Sequence, residues 1–450
     1  MAGQPESSSY KRYHIVLIPG FGGFDALGQV EYYAGITDVF QHWKADRPVV
    51  LHYFDNLPTA AVVTRAERLR YYLAKRYARG EILKDDEVAL VGHSTGGLDI
   101  RQLVFDLHNH SGRVSVDGGH DVSLRAIRRC VRRVVFLSVP HWGTNIANWV
   151  HAWPEWLRKM LIADVRAAVM GGSRAYLIDQ LEQWLAGGFA DYTGAELFLT
   201  IQDALTEANE NYGEPSPQRT AAAHEAASEL GLYWRHMYSD FHVINDLMSQ
   251  PPKHGPPSPA HFDQDRREQE LHLWDHLAIK CLSYVTIGSR PFRFDPGCPA
   301  PVFNLVNPFS DLEVLKDGEL SEGTDVVYRF CYRACAGGPF QYPMMAQPGT
   351  VTKCLDGSPP PFIELWDNDG IVNTASMLWP RGDNVLVAGD HLDIVGHYKL
   401  VEADSGGGRK YRSYDALKSV SPFSNKKSSD KVFKQIWNDI FEFCVGEKSR

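Results

Sequence analysis

The first third of the chain alternates short apolar runs with longer amphipathic stretches, and few architectures accept that pattern. HIVLI (14–18), VVLHYF (49–54), EVALVG (87–92) and VRRVVFLSVP (131–140) read as buried strands. Between them, RAERLRYYLAKRYA (65–78) and GLDIRQLVFDL (97–107) carry apolar residues at helical spacing. A strand–helix alternation of this kind predicts a mostly parallel central sheet with helices on both faces. In such sheets the reactive groups gather beyond the carboxyl ends of the strands.

From about 142 to 280 helical periodicity takes over, interrupted by the breaker run PPKHGPPSP (251–259). Strand patterns return at CLSYVTIG (281–288) and NVLVAG (384–389), and VFKQIWNDIFEFCV (432–445) is an amphipathic terminal helix. The stretch 295–360, rich in Pro, Gly and acidic residues, reads as loops with at most one hairpin. The simplest organisation is a single α/β domain over 1–450 with a helical insertion at 142–280.

Composition narrows the function classes. A hydrophobic fraction of 44% with 22% charged residues is ordinary globular usage. The net charge of −9 offers no electrostatic reason to expect nucleic acid as a partner. No run approaches the roughly 18 apolar residues of a membrane span, and no export signal is visible, which makes cytoplasm the default expectation. The seven cysteines suit a reduced compartment. Cys331 and Cys335 have a zinc-compatible spacing, but no second close pair accompanies them.

Gly92-His93-Ser94-Thr95-Gly96 is the strongest short motif. It matches G-x-S-x-G, follows a strand candidate and opens a helix candidate. A serine at a sharp strand-to-helix turn projects its hydroxyl, and the flanking glycines relieve backbone crowding. The helix N-terminus then offers N–H groups to a developing oxyanion. Chance alone yields about 0.15 such matches in a chain this long, so the companions decide. A nucleophilic serine needs a base, an acid to orient that base, and a second oxyanion donor. Ile18-Pro19-Gly20-Phe21-Gly22-Gly23, Trp366-Asp367-Asn368-Asp369-Gly370 and Gly389-Asp390-His391-Leu392-Asp393 supply candidates in the order this fold uses.

These segments resemble the bacterial triacylglycerol lipases of the α/β-hydrolase superfamily, both the secreted proteobacterial and the thermoalkalophilic Gram-positive kinds. IVLIPGFGG is similar to their IVLxHGFxG segment, VEYYAGI (30–36) to the aromatic stretch after it, and VGHSTGG to their nucleophile elbow. SVPHWGT (138–144) resembles TPHxGT, NDGIVNTASM (368–377) resembles NDGIVNTVSM, and DHLDIVG (390–396) resembles DHLEVIG. Together they cover roughly the first 150 and the last 90 residues. The resemblance implies Ser94 as nucleophile, His391 as base and Asp369 as its orienting acid. It assigns the oxyanion amides to Phe21 and Thr95. It departs at Pro19, where the family has histidine; no family signal peptide is visible, and no counterpart of the zinc-binding insertion is recognisable between strand and elbow.

Each assignment has a competitor. Asp367 lies two residues from Asp369, and His397 lies downstream of His391. His93 and His141 adjoin the motifs and read as turn braces that act by hydrogen bonding, while His108, His110 and His120 read as loop histidines. Asp393 occupies the position of a family calcium ligand, so a structural calcium is an expectation carried by the resemblance. One carboxylate is not a calcium site, however. The chemistry itself requires no cofactor.

The expected activity is cleavage of acyl glycerols or similar apolar esters. Transfer to an alcohol, hydrolysis of another ester class and a non-catalytic binding role are the alternatives. Residues 149–170 place Trp149, Trp153 and Trp156 at helical spacing soon after the VPHWGT turn, the pattern of a lid that could meet a lipid interface.

Overall fold

The computed structural model describes residues 11–23, 26–27, 30–45, 47–151, 242–249, 258–291, 326–336, 349–398, 417, 419–425 and 428–446. The strands are β1 (Tyr13–Ile18), β2 (Ala26–Leu27), β3 (Val30–Glu31), β4 (Val49–Tyr53), β5 (Glu87–His93), β6 (Arg113–Val116), β7 (His120–Ser123), β8 (Val131–Leu137), β9 (Lys280–Ile287), β10 (Lys353–Cys354) and β11 (Asp383–Ala388). Seven of them form one sheet in the order β10-β11-β9-β8-β5-β1-β4, and every pairing in it is parallel. This is the α/β-hydrolase arrangement. The pairs β2–β3 and β6–β7 are small antiparallel ribbons.

Strand alternation builds two cores from one sheet. Val16 and Ile18 of β1 point to one face, joining Leu90, Val134 and Phe136. Ile15 and Leu17 point to the other, joining Val91, Val135 and Tyr284. Successive Cβ atoms of a strand leave opposite sides, so a run apolar at every position is the mark of a doubly covered sheet. Helices α1 (Ile36–His42), α2 (Val62–Ala78), α3 (Thr95–Asn109) and α4 (Leu124–Cys130) follow the first strands. The first core packs α2, α3 and α4, and the second packs α1 and the terminal helix Ser429–Val445 through Phe433, Ile436, Trp437 and Ile440.

The connection order creates the site. The chain runs from β1 outward to β4, then returns to the other side of β1 to form β5. Loops leaving β1 and β5 therefore diverge, and the gap beyond their carboxyl ends is the topological switch point where ligands of such sheets bind.

Some expectations need correction. The 295–360 stretch contains a helix, Val326–Ala336, whose Tyr328, Tyr332 and Cys335 are buried at helical spacing. Its mixture of aromatic, cysteine and arginine residues hid the period. Cys331 and Cys335 both sit on this helix, and among the described residues no three His, Cys, Asp or Glu side chains converge as a metal-binding group. His108 lies within α3, His110 caps it and His120 opens β7, so none is a simple loop residue. The lid candidate begins in a helix at Asn145–His151, and its remainder, including Trp153 and Trp156, lies outside the described residues. Among the described residues no helix is long and apolar enough to cross a membrane.

Candidate active site

Ser94 stands between the last residue of β5 and the first of α3 with φ 52° and ψ −128°. A non-glycine residue there is strained, and the surroundings explain how the strain is imposed. A Cβ on Gly92 would lie 2.7 Å from the Gly96 carbonyl carbon, and one on Gly96 would lie 2.4 Å from the Ile18 carbonyl oxygen. Only glycines let β5 turn this tightly into α3 while α3 presses on the end of β1. The Ser94 amide donates to Leu137 O at 2.8 Å, tying the turn to β8.

Thr95 opens α3, where first-turn amides lack an intrahelical acceptor. Phe21 sits in the loop after β1. Arg65 of α2, fully buried, donates from Nη2 to the carbonyls of Pro19 at 2.7 Å and Gly20 at 3.2 Å. A trans peptide sends the Gly20 carbonyl and the Phe21 N–H in opposite directions. Holding the carbonyl thus turns the Phe21 amide away from Arg65. The guanidinium is itself paired with Asp99 of α3, whose carboxyl burial raises to about 6 against the opposing charge of Arg65. The loop after β1 and helix α3 are tied together by this buried ion pair.

Asp369 and His391 meet beyond the ends of β9 and β11. His391 Nδ1 lies 2.8 Å from Asp369 Oδ2, and the His391 amide donates to the Asp369 carbonyl at 3.0 Å. Thr286 Oγ donates to the same Oδ2 at 2.6 Å, while the amides of Ile371 and Val372 donate to Oδ1 at 3.1 and 2.8 Å. A carboxylate that accepts four donors is fixed in position and leaves Nδ1 of His391 as the protonated nitrogen. The lone pair is then on Nε2. Thr286 Oγ also lies 2.9 Å from Ser138 Oγ, which ties this cluster to the end of β8.

The competitors are engaged elsewhere. Asp367 pairs with Arg290 through Nε–Oδ1 and Nη2–Oδ2 contacts of 2.7 Å each. His397 Nε2 lies 2.9 Å from the Tyr32 carbonyl. His93 does bond through both ring nitrogens, to Tyr32 Oη and the His391 carbonyl. The reading of His141 as a hydrogen-bonding brace is wrong. Neither of its ring nitrogens has a partner among the described residues, and the ring packs 4.7 Å from both Phe136 and Trp379.

The residues around Asp393 do not fit calcium. Its Oδ2 accepts from the Asp390 amide and the Ser421 hydroxyl, each at 2.9 Å. Asp390 in turn accepts from Leu392 N, Asp393 N and Ser419 Oγ. Burial pushes the Asp390 carboxyl up to about 6, against those same donors. Oxygens already turned toward N–H and O–H donors are not arranged as a cation shell, which needs six to eight oxygen ligands. Hydrogen bonds brace the histidine loop instead.

Sequence reasoning missed Arg65, Tyr32, Thr286 and Ser138. Thr286 was legible in principle as a polar residue near the carboxyl end of a buried strand. Tyr32 lay within the quoted aromatic stretch without a role.

No protein-family model and no curated protein matches the chain. Among solved structures it is similar to a lipase of Staphylococcus hyicus, at 14% identity and TM-score 0.45 over 99% of this chain and 98% of that one. It is also similar to EstA of Clostridium botulinum, at 13% identity and TM-score 0.38 over 86% and 84%. Lipase 1 of Pelosinus fermentans follows at 17% and 0.36 over 85% and 93%. Likenesses this distant add nothing to the argument from strand order and site geometry.

Proposed function

We propose that the protein is a serine carboxylic-ester hydrolase acting on acyl glycerols or similar apolar esters. The observation that carries the reading is the strained Ser94 at the switch point, on the same edge of the sheet as the Asp369–His391 pair. His391 Nε2 takes the Ser94 proton as the hydroxyl attacks the acyl carbonyl. The tetrahedral oxyanion is stabilised by the amides of Phe21 and Thr95. Asp369 holds the imidazolium, which then protonates the departing alcohol. Water, activated by His391, attacks the acyl-enzyme and releases the acid. These steps use only side chains and backbone of this chain.

The apolar substrate class is supported by the resemblance in sequence and by Phe21, a large apolar side chain exposed on the oxyanion loop. The lid reading adds an expectation of faster turnover on emulsified than on monomeric ester, because opening transfers apolar surface from water.

The test is labelling of Ser94 by a fluorophosphonate, followed by hydrolysis rates on p-nitrophenyl esters from acetate to palmitate, below and above their solubility limits. Labelling with rates that rise toward longer chains supports the reading. A folded protein that ignores the probe marks a binding protein instead. Smooth saturation through the solubility limit removes the lid.

A further inference from the structure

The geometry points to Tyr32 and His93 as positioning residues that lock the oxyanion loop to the histidine loop, a role resting on the hydrolase reading above. The two loops come from opposite ends of the sequence, yet one hydrogen-bonded chain joins them. The Gly20 amide donates to Tyr32 Oη at 2.8 Å. Tyr32 Oη lies 2.6 Å from His93 Nδ1, and His93 Nε2 lies 2.9 Å from the His391 carbonyl oxygen. Gly20, Tyr32 and His93 are buried.

The polarity of the chain has only one solution. A carbonyl only accepts, so His93 Nε2 carries the proton. A neutral imidazole then has a bare Nδ1, which accepts from the Tyr32 hydroxyl. That hydroxyl has spent its proton and accepts from Gly20 N–H. Each donor in the chain is used once. Burial and the neighbouring His391 and His397 hold the His93 pKa well below its ordinary value, which keeps the ring neutral. A protonated His93 would present N–H to Tyr32 and force its hydroxyl toward another donor.

Two further contacts make the chain a spacer as well as a tether. The His93 ring packs on the His391 ring with centroids 4.7 Å apart. Gly20 has no room for a side chain, since a Cβ there would lie 2.7 Å from both Ser94 Cβ and Tyr32 Oη. Tyr32 thereby sets how far the oxyanion loop stands from the nucleophile, while His93, next to Ser94 in sequence, sets where the His391 backbone stands. The distance between base and oxyanion donors is fixed by one tyrosine and one histidine that need not touch substrate.

The experiment compares wild type, Tyr32→Phe, His93→Gln and the double variant on p-nitrophenyl butyrate, with active sites counted by fluorophosphonate. Tyr32→Phe is expected to lower kcat roughly tenfold, about the worth of one well-placed hydrogen bond, with KM within about twofold. His93→Gln keeps a donor for the His391 carbonyl and costs less. The double variant should match Tyr32→Phe within about twofold, because both changes cut the same link. Wild-type kcat in folded Tyr32→Phe, or losses that multiply, overturns the proposal. A second measurement needs no turnover. Histidine-labelled nitrogen NMR of the wild type should show His93 as the neutral Nε2–H tautomer, with an Nδ1 resonance that moves in Tyr32→Phe. A protonated ring or the Nδ1–H tautomer overturns the chain itself. A wild type that neither hydrolyses nor labels defeats the hydrolase reading, and the His93 spectrum tells that failure apart.

Discussion

Among the described residues, two buried carboxylates are hydrogen-bonded to histidine rings, and the two pairs sit at opposite ends of the sheet. Near the amino-terminal end of β1, His14 Nε2 lies 3.1 Å from Asp86 Oδ2, and His14 Nδ1 lies 2.9 Å from His52 Nε2. Asp86 also takes Arg12 and the Leu83 amide. Beyond the carboxyl ends of β9 and β11, Asp369 and His391 make a bond of 2.8 Å. Both carboxylates are buried, donor-rich and paired with an imidazole. The first chain ends on a second imidazole carried by a regular strand, whereas the second shares its edge of the sheet with a serine held at positive φ. The lesson is that an acid–histidine bond is common structural glue. What distinguishes the second pair is its position beyond the strand ends and a backbone-strained serine on the same edge of the sheet.

The sharpest way to break this contrast is Ser94→Ala, expected to cut ester hydrolysis on the order of 10⁶-fold while circular dichroism is unchanged. Retained turnover would remove the nucleophile. Next in size, Asp369→Asn should lower kcat on the order of 10⁴-fold, because an amide can present an N–H to His391 Nδ1 and so favour the wrong tautomer. Asp367→Asn, whose carboxylate serves Arg290, should stay within about tenfold of wild type. Reversal of those two sizes would exchange the acid.

The structural chain makes its own demand. Burial, aided by His14 and Arg76, lowers His52 to about 4, and burial also lowers His14 against the pull of Asp86. The unfolded chain therefore binds more protons than the folded one between about pH 6.5 and the lowered folded values. The stability from neutral His52 is complete above that window and is lost as pH falls through it, at about 1.4 kcal/mol per pH unit where the proton difference is one. His52→Gln should keep wild-type kcat and lose less melting temperature between pH 7.5 and pH 5. An identical loss would show that the pair does not titrate with unfolding.

The smallest expected effect belongs to the histidine loop. Chelator should shift the melting temperature by less than about 1 °C, because the Asp390 amide and the Ser421 hydroxyl already engage Asp393. Calcium found by elemental analysis, with a clear fall in chelator, would restore the ion at Asp393.

The strands and helices were readable because their apolar periods are local: IVLI of β1 and VVFL of β8 are apolar through both faces, as a covered parallel sheet requires. Gly92 and Gly96 were readable for a similar reason, since backbone crowding at a tight turn leaves few residue choices. The order Ser94, Asp369, His391 was visible along the chain and the resemblance chose Asp369, but spacing alone did not separate it from Asp367, because two residues apart in a loop carry no directional rule. In the structure Asp369 meets His391, while Asp367 is taken by Arg290, 77 residues upstream of it. Arg65 under the loop after β1, Thr286 on Asp369 and the Tyr32–His93 chain are likewise pairings across large sequence separations. A sequence carries the local preferences that make elements, while hydrogen bonds between distant loops exist only once the sheet has set those loops side by side.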